Sequence, residues 1–414
     1  MYNTESGEDA AEGDNKLTMK FASRIEKLPP YVFAGMAKRL AELRASGVEI
    51  INFTMGDPDV PTPDYLLEAM YEASRRPENS RYPDYFGKPK LRQAIADWYA
   101  TRFGVTLDPT TEVLPLIGSK EGIANVALAF VDSDEVALVP DPAYPVYKFG
   151  TLMADGQVAY LPLLEESGWL PDLESIDPEL ARKVNVLWLN YPNNPTGAVA
   201  DIECFERVVH WAKKYDVIVA HDNPYSEMAY DGFKPPSILE VPEARDIAVE
   251  FNSFSKTFSM AGHRIGMAVG NPEIIGVLGR IKTNIDSGVY GAIQDMATTA
   301  LTSDLSWIPE RNEIYRRRRD KLCAALRDMG IKVTPPQAGL YIWARVPEGY
   351  TSSSFTEMLL QKAGIAITPG PTYGKQGDGF FRLAFTVPDE QVDEAVARLA
   401  KLDLGANALE AVTK

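Results

Sequence analysis

Val184-Asn-Val-Leu-Trp-Leu-Asn-Tyr-Pro-Asn-Asn-Pro-Thr-Gly197 passes from an apolar, β-branched-rich run straight into a turn of proline, asparagine and glycine. A short continuous apolar run of this kind reads as a strand buried on both faces. Helical spacing follows it, with Phe205, Val208, Val209 and Ala212 recurring at i, i+3, i+4 and i+7. Similar apolar runs stand at Val136–Pro140, Val217–His221, Ile247–Phe251 and Ile265–Val269. Strands of this type separated by amphipathic helices predict an α/β fold with a mainly parallel central sheet, covered on both faces.

Outward from this centre the pattern weakens over 18–55 and changes after about 290. A long charged helix begins near Pro309 and leads into Ala338–Val346, a helix near Ser353–Gly364, the strand Phe380–Phe385 and a helix from Pro388. That order predicts a smaller α+β domain built from both ends of the chain. The expected division is an acidic tail at 1–17, an arm and part of the small domain at 18–55, a large domain at 56–290, and the rest of the small domain at 291–414. In the tail, Glu5, Glu8, Asp9, Glu12 and Asp14 stand among small polar residues. So little apolar surface does not offset the entropy of ordering, and the tail is expected to be disordered.

The 414 residues carry 42 Lys and Arg against 58 Asp and Glu, a net charge of −16 that argues against nucleic acid and anionic membrane as partners. The run Arg316–Arg319 points around most of a helix, so a solvated helix with local ion pairs is expected rather than a basic patch. No apolar run approaches the roughly 18–20 residues that span a bilayer, and the polar N-terminus does not read as a signal peptide. Cys204 and Cys323 form no CxxC pair and read as reduced thiols of a cytoplasmic protein. Three dispersed histidines without HExxH give no metal site, and no GxGxxG or P-loop follows a strand. A nucleotide-dependent dehydrogenase therefore lacks its phosphate-binding turn. The Asn52-Phe-Thr54 sequon reads as chance.

In open α/β sheets, ligands sit beyond the carboxyl ends of the strands. The polar residues that follow the apolar runs are Asn194 in Tyr191–Gly197, Asp222 and Tyr225 in His221-Asp-Asn-Pro-Tyr225, and Ser253, Ser255 and Lys256 in Asn252-Ser-Phe-Ser-Lys256. Arg264 follows in Gly262-His-Arg-Ile-Gly266. An acid, a phenol, an amide and an amine thus converge on one edge, and each has a physical role if the ligand is pyridoxal phosphate. Lys256 would form an imine with the cofactor aldehyde and later move the α-proton. Asp222 would keep the pyridine nitrogen protonated so that the ring accepts electrons. Tyr225 and Asn194 would donate to the phenolic oxygen, while Ser253 and Arg264 hold the phosphate. Ile117-Gly-Ser-Lys-Glu-Gly122 opens a helix, so the amides of Ser119 and Lys120 could cap the same dianion. Tyr144, in Asp141-Pro-Ala-Tyr-Pro145, could stack on the ring.

Together these motifs resemble the fold type I pyridoxal-phosphate enzymes, specifically class I/II aminotransferases of the aspartate aminotransferase family, from about residue 18 to the C-terminus. Gly56-Asp-Pro-Asp59, Ile117–Gly122, Val139–Pro145, Lys282-Thr-Asn-Ile-Asp-Ser-Gly288 and Thr368-Pro-Gly370 are most similar to LL-diaminopimelate aminotransferases, which implies lysine biosynthesis. The resemblance implies that Lys256 carries the cofactor, that Asp222, Tyr225 and Asn194 contact its ring, and that Ser119, Lys120, Ser253 and Arg264 bind its phosphate. It also implies that Tyr82 reaches that phosphate from a neighbouring subunit of a homodimer. Arg382, in Phe380-Phe-Arg-Leu383, matches the arginine that grips the substrate α-carboxylate; Tyr31, Gly56 and Asn194 stand on the substrate side. The implied reaction moves an amino group from an L-amino acid, diaminopimelate- or aspartate/glutamate-like, to a 2-oxo acid by a ping-pong route.

Three positions depart from the pattern. His263 stands where the family has tryptophan, and a packing role is expected for it. Tyr85 occupies the slot of an acid that helps to hold the distal amino group of diaminopimelate, with Asp84 beside it. Tyr290-Gly291 is unusual after Asp286-Ser-Gly288. They keep open a lyase, cyclase or oxidase acting through the same Lys256, because cofactor-binding motifs do not separate fates that share the first proton abstraction.

Overall fold

The computed structural model of the protein describes residues 19–30, 32–402 and 404; the acidic tail and Tyr31 lie outside the described residues. A seven-stranded sheet forms the centre. In chain order its strands are β1 (Val113–Leu116), β2 (Val136–Asp141), β3 (Gln157–Pro162), β4 (Val184–Leu189), β5 (Ile218–Asp222), β6 (Ala248–Ser253) and β7 (Gly266–Gly270). They lie in the order β1-β7-β6-β5-β4-β2-β3. Only β7 runs against its neighbours β1 and β6; the other pairings are parallel. In β4, Val186 and Trp188 enter the core on one face while Leu187 and Leu189 enter the core on the other. Successive strand residues point to opposite faces, so only a run apolar throughout can fill both.

The longer helices in the first part of the chain are α1 (Val32–Ala45), α2 (Asp64–Ser74), α3 (Pro89–Phe103), α4 (Ser119–Phe130), α5 (Val146–Met153), α6 (Ile202–Lys214), α7 (Pro272–Ile285), α8 (Gly291–Thr302) and α9 (Trp307–Asp328), and α2 to α8 contribute to the cores on those two faces. The α6 helix starts where the Asp201 carboxylate accepts from Cys204 N at 2.8 Å, and it buries Phe205, Val208, Val209 and Ala212 as their spacing predicts. Among the described residues no helix is long and apolar enough to cross a membrane. Cys204 and Cys323 are buried free thiols.

A second core gathers β8 (Tyr341–Arg345), β9 (Thr368–Pro369) and β10 (Phe380–Ala384), an antiparallel sheet in the order β9-β10-β8, with α10 (Ser352–Ala363) and α11 (Asp389–Leu399). The N-terminal segment joins it, Ile51–Asn52 pairing in parallel with Ile365–Ala366. Ala384 N then donates to Phe53 O at 2.9 Å, which carries residues 54–57 to the edge of the large sheet.

Two expectations need correcting. The division expected at 290 does not follow the packing, because Met296, Ala297, Ala300 and Leu301 of α8 belong to the first core. The change falls inside α9, where Trp307 packs on the first core and Tyr315, Leu322 and Cys323 on the second. Nor is the whole of Arg316–Arg319 solvated. Arg316 pairs locally with Glu313 and Asp320, both at 2.7 Å. Arg318 and Arg319 are buried, Arg318 between Asp59 and Asp389 and Arg319 against Asp231. Four consecutive positions sweep most of the helix circumference, so some of them must face inward.

Candidate active site

The carboxyl edge of the large sheet faces the second core across a cavity of about 350 Å³. Strand β5 delivers Asp222 there, and β6 ends at Ser253 and feeds the four-residue helix Phe254–Thr257 that carries Lys256. Because β7 runs the opposite way, its beginning lies on this same edge, just after Arg264. Asn194 follows β4, Tyr144 follows β2, and α4 opens with Ser119 and Lys120. All of these residues line the cavity, as do Tyr225, Gly56 and Arg382. Tyr82 does not: it lies outside the lining and is 85% exposed. Tyr31 lies outside the described residues.

Asp222 is buried at 4% exposure. Its Oδ2 accepts from the Tyr147 hydroxyl at 2.7 Å and its main-chain oxygen from Asn190 Nδ2 at 2.7 Å, whereas Oδ1 is buried without a partner. Burial pushes the carboxyl up to about 6, against the hydrogen bond from Tyr147 and the nearby His221, which pull it down. An unpaired buried acceptor costs about 1–3 kcal/mol, which a ligand N–H would recover.

Lys256 Nζ donates to Gly56 O at 2.7 Å and lies 3.9 Å from Asp57 Oδ1. Burial lowers the amine to about 8, Arg382 and Arg264 adding to the effect and Asp57 opposing it. The lowered value gives the amine a far larger neutral fraction at about pH 7–8 than an exposed lysine has, which suits a nucleophile or base. Tyr225 meets the hydroxyl of Tyr341 at 2.9 Å.

Arg382 is 3% exposed. It donates to Asn194 Oδ1 at 2.8 Å and to Thr54 O at 2.5 Å, and its guanidinium lies 4.2 Å and 4.8 Å from the rings of Tyr341 and Tyr373. Its Nε is buried and unpaired, and it forms no ion pair with a carboxylate among the described residues. A desolvated planar cation framed by aromatic faces suits a bidentate carboxylate.

At the opposite end the main chain forms an anion cradle. Gly118, with φ of 75°, caps α4, and any Cβ there would come within 2.5 Å of Arg264 Nη2. A Cβ on Gly266 would meet the amide nitrogen of Ser119 at 2.6 Å. Arg264 itself takes a left-handed φ of 53° and anchors Nη1 on Ala261 O at 2.8 Å. The open amides of a helix N-terminus beside a guanidinium fit a phosphate. The donor set as a whole therefore fits pyridoxal phosphate: cradle, orphaned carboxylate oxygen and an amine of lowered basicity share one cavity.

His263 lies outside the lining; its Nδ1 is buried and unpaired, and burial pulls its pKa below the ordinary histidine range. Sequence reasoning missed Tyr147, Asn190, Asp57 and Tyr341. Tyr147 had a signal, since it stands three residues after Tyr144 as the chain enters α5. Tyr341 had none before the register of β8 and β10 placed it opposite Ala384, two residues from Arg382.

Known proteins bear on this arrangement. Residues 48–399 match the family described as aminotransferase class I and II. The chain is 52% identical, over 92% of its length and 98% of the relative's, to an LL-diaminopimelate aminotransferase of Dehalococcoides mccartyi. The substrate-bound structure of BacF from Bacillus subtilis superposes with a TM-score of 0.89 at 35% identity, covering 94% of this chain and all of that one. A single mutant of the Thermus thermophilus aspartate aminotransferase gives a TM-score of 0.87 at 28% identity, covering 93% of this chain and all of that one. With a match across most of its length and an edge that gathers lysine, aspartate and arginine in one cavity, the chain belongs to the class I and II aminotransferases.

Proposed function

We infer that this aminotransferase works on pyridoxal phosphate attached to Lys256 and takes its amino group from LL-diaminopimelate or a related acidic amino acid. The observation that carries the reading is the unpaired, buried Oδ1 of Asp222 in the same cavity as the Lys256 amine. When bound, the cofactor supplies an aldehyde for the lysine and an electron-accepting pyridinium ring.

Asp222 holds the proton of the ring nitrogen, and that cation draws the carboxyl back toward its ionised form. Tyr225 and the amide of Asn194 donate to the ring oxygen. Ser119, Lys120, Ser253 and Arg264 bind the phosphate, and Tyr144 flanks the ring. Arg382 would orient the substrate through its α-carboxylate so that the α-proton faces Lys256 Nζ, which would take that proton and hold it for transfer. Gly56 supplies the acceptor that parks the amine. Burial of Asp222 and Arg382 strengthens their charged contacts.

The diaminopimelate assignment rests on the relatives' activity and on the shared motifs from Gly56 to Gly370. A homodimer completes the site by bringing Tyr82 of one copy to the phosphate bound by the other, which accounts for the exposure of that side chain. The free buried thiols suit a reducing, cytoplasmic setting.

The test is absorbance of the purified protein with single amino acids: LL-diaminopimelate, aspartate, glutamate, basic and aromatic ones. The expected result is conversion of the lysine-bound cofactor to its amine form by LL-diaminopimelate, stopping after one half-reaction until a 2-oxo acid is added. Continued turnover without a 2-oxo acid would sink the transfer mechanism. Conversion by aromatic amino acids alone would sink the substrate.

A further inference from the structure

Tyr341 is buried at 3% exposure and touches three working groups at once. Its hydroxyl lies 2.9 Å from that of Tyr225, the rings meeting edge to face at 5.7 Å and 83°. The face of its ring lies 4.2 Å from the guanidinium of Arg382. It also fills the space beside Gly56, where any Cβ would come within 2.2 Å of the Tyr341 hydroxyl, and the Gly56 carbonyl receives Lys256 Nζ at 2.7 Å. Pairing of Tyr341 with Ala384 across β8 and β10 fixes the backbone that sets this position.

We propose that Tyr341 is a positioning residue that aims the Tyr225 hydroxyl at the cofactor's phenolic oxygen and holds the Arg382 guanidinium for the substrate carboxylate. The proposal rests on the roles given above to Tyr225, Lys256 and Arg382.

A phenol has one proton to donate and lone pairs to accept. If Tyr225 gives its proton to an anionic ring oxygen, its own oxygen is left to accept, and Tyr341 is the donor at hand. The chain then runs Tyr341 to Tyr225 to ligand. Each donor polarises the next, so Tyr225 becomes a stronger donor and the anionic form of the ligand oxygen is favoured. Burial raises the pKa of Tyr225 well above the ordinary phenol value, so it stays a neutral donor across the working range. The ring of Tyr341 acts separately, framing the guanidinium together with Tyr373 through cation–π contact. One side chain thereby links the group that tunes the cofactor to the group that selects a carboxylate.

Two variants separate the hydroxyl's role from the ring's. Tyr341→Phe keeps the ring and removes the hydroxyl; Tyr341→Leu removes both. The groups facing the titrating cofactor are Lys120 at the start of α4, Tyr144 after β2, Asp222 from β5, Tyr225 after it, Lys256 after β6, Arg264 before β7, Arg382 from β10 and Asp57, and neither variant substitutes any of them. In holoenzyme titrated by absorbance, Tyr341→Phe should raise the pKa of the lysine-bound cofactor by about 0.5–1 unit. Its KM for the 2-oxo acid should stay within about twofold, since the cation–π face survives. Tyr341→Leu should show the same spectral shift and a KM raised about tenfold. In a Tyr225→Phe background, Tyr341→Phe should add no further shift. An unmoved pKa in Tyr341→Phe, or an equal shift with and without the Tyr225 hydroxyl, overturns the proposal. The Tyr225 background also decides the matter if Tyr341→Leu does not fold. Absence of any titrating cofactor absorbance in the wild-type protein is a different outcome, and it would remove the cofactor assignment itself.

Discussion

The Tyr147 hydroxyl donates to Asp222 Oδ2 at 2.7 Å, which leaves Oδ1 as the one carboxylate oxygen without a protein donor. The ring of Tyr147 is stacked on Trp188 at 4.8 Å, so the donor is held by packing on the core of the sheet. Asp222 thus has one oxygen fixed by the protein and one free for a ligand, a division that orients the carboxylate before anything binds.

Removing that donor should uncouple binding from rate. Tyr147→Phe takes from Asp222 the hydrogen bond that lowers its pKa, so the carboxyl rises further and is a poorer partner for a protonated ring nitrogen. A hydrogen bond to a charged group contributes about 1.5–3 kcal/mol, which corresponds to a fall in kcat of about 10- to 100-fold if it is lost in the transition state. Cofactor absorbance should persist. Steady-state kinetics giving an unchanged kcat in Tyr147→Phe would show that Asp222 needs no such support.

Lys256 sets a pH dependence that can be read without substrate. Its amine is lowered from the ordinary 10.5 to about 8 by burial, so the neutral, nucleophilic fraction grows as pH rises, is half at about 8 and is nearly complete roughly a unit or more above that. Capture of pyridoxal phosphate by cofactor-free protein should therefore speed up with pH, reach half its limit at about 8 and level off roughly a unit or more above that. Stopped-flow absorbance that keeps accelerating toward the ordinary lysine value would show that the amine is not desolvated. The stability sign is opposite to that of a paired lysine. A depressed pKa means that the folded state binds fewer protons than the unfolded one between about 8 and 10.5, so stability attributable to this group rises with pH across that window.

The contrast between these residues shows which parts of the site a sequence discloses. Asp222, Ser253 and Lys256 were legible because each ends or closely follows a buried strand, and a parallel sheet places such residues on one edge. Arg382 was legible only through family resemblance, since nothing local marks it. Tyr341 gains its position from antiparallel register in the second sheet, a tertiary fact with no local signature. The same reason hid the burial of Arg318 and Arg319: a charged helix looks solvated until Asp59, Asp231 and Asp389 arrive from distant segments. The packing of α8 on α2 and α3 was lost too, because its small residues Ala297 and Ala300 carry little periodic signal.

Away from the chemistry, Lys282 ties the start of α4 to the turn after α7. It is 1% exposed, with Nζ at 3.2 Å from Glu121 and 2.8 Å from Asp286. Lys282→Met would leave two carboxylates without their cation, and loss of one partner of a buried ion pair costs about 3–5 kcal/mol. Burial already raises Glu121 and Lys282 pulls it back, so in the variant its folded pKa climbs further above the unfolded one. An acid with a raised folded pKa takes up protons on folding, which makes the variant relatively more stable as pH falls. Urea unfolding at about pH 5.5 and pH 8 should show a smaller deficit at the acidic value. An equal deficit at both would assign the loss to packing alone.

The exposure of Tyr82 bears on assembly. Tyr82, Tyr85, Phe86 and Tyr290 are 85%, 47%, 45% and 44% exposed, and Gly288 packs closely on Pro83 and Asp84, where a Cβ would lie 3.0 Å from Asp84 O, so the two segments adjoin. A second copy laid on these residues would bury them and carry each Tyr82 to the other copy's phosphate cradle. Complementation distinguishes this from a role within one chain. Tyr82→Ala should retain cofactor poorly, and Lys256→Ala should be inactive. A mixed dimer of the two has one site with the lysine of one subunit and the tyrosine of the other, complete in every part. Random reassortment makes roughly half the dimers mixed and restores roughly a quarter of the wild-type sites. Activity should thus appear on mixing and refolding the two variants at limiting cofactor. If native mass spectrometry finds mixed dimers and no activity returns, Tyr82 serves its own chain or no phosphate at all.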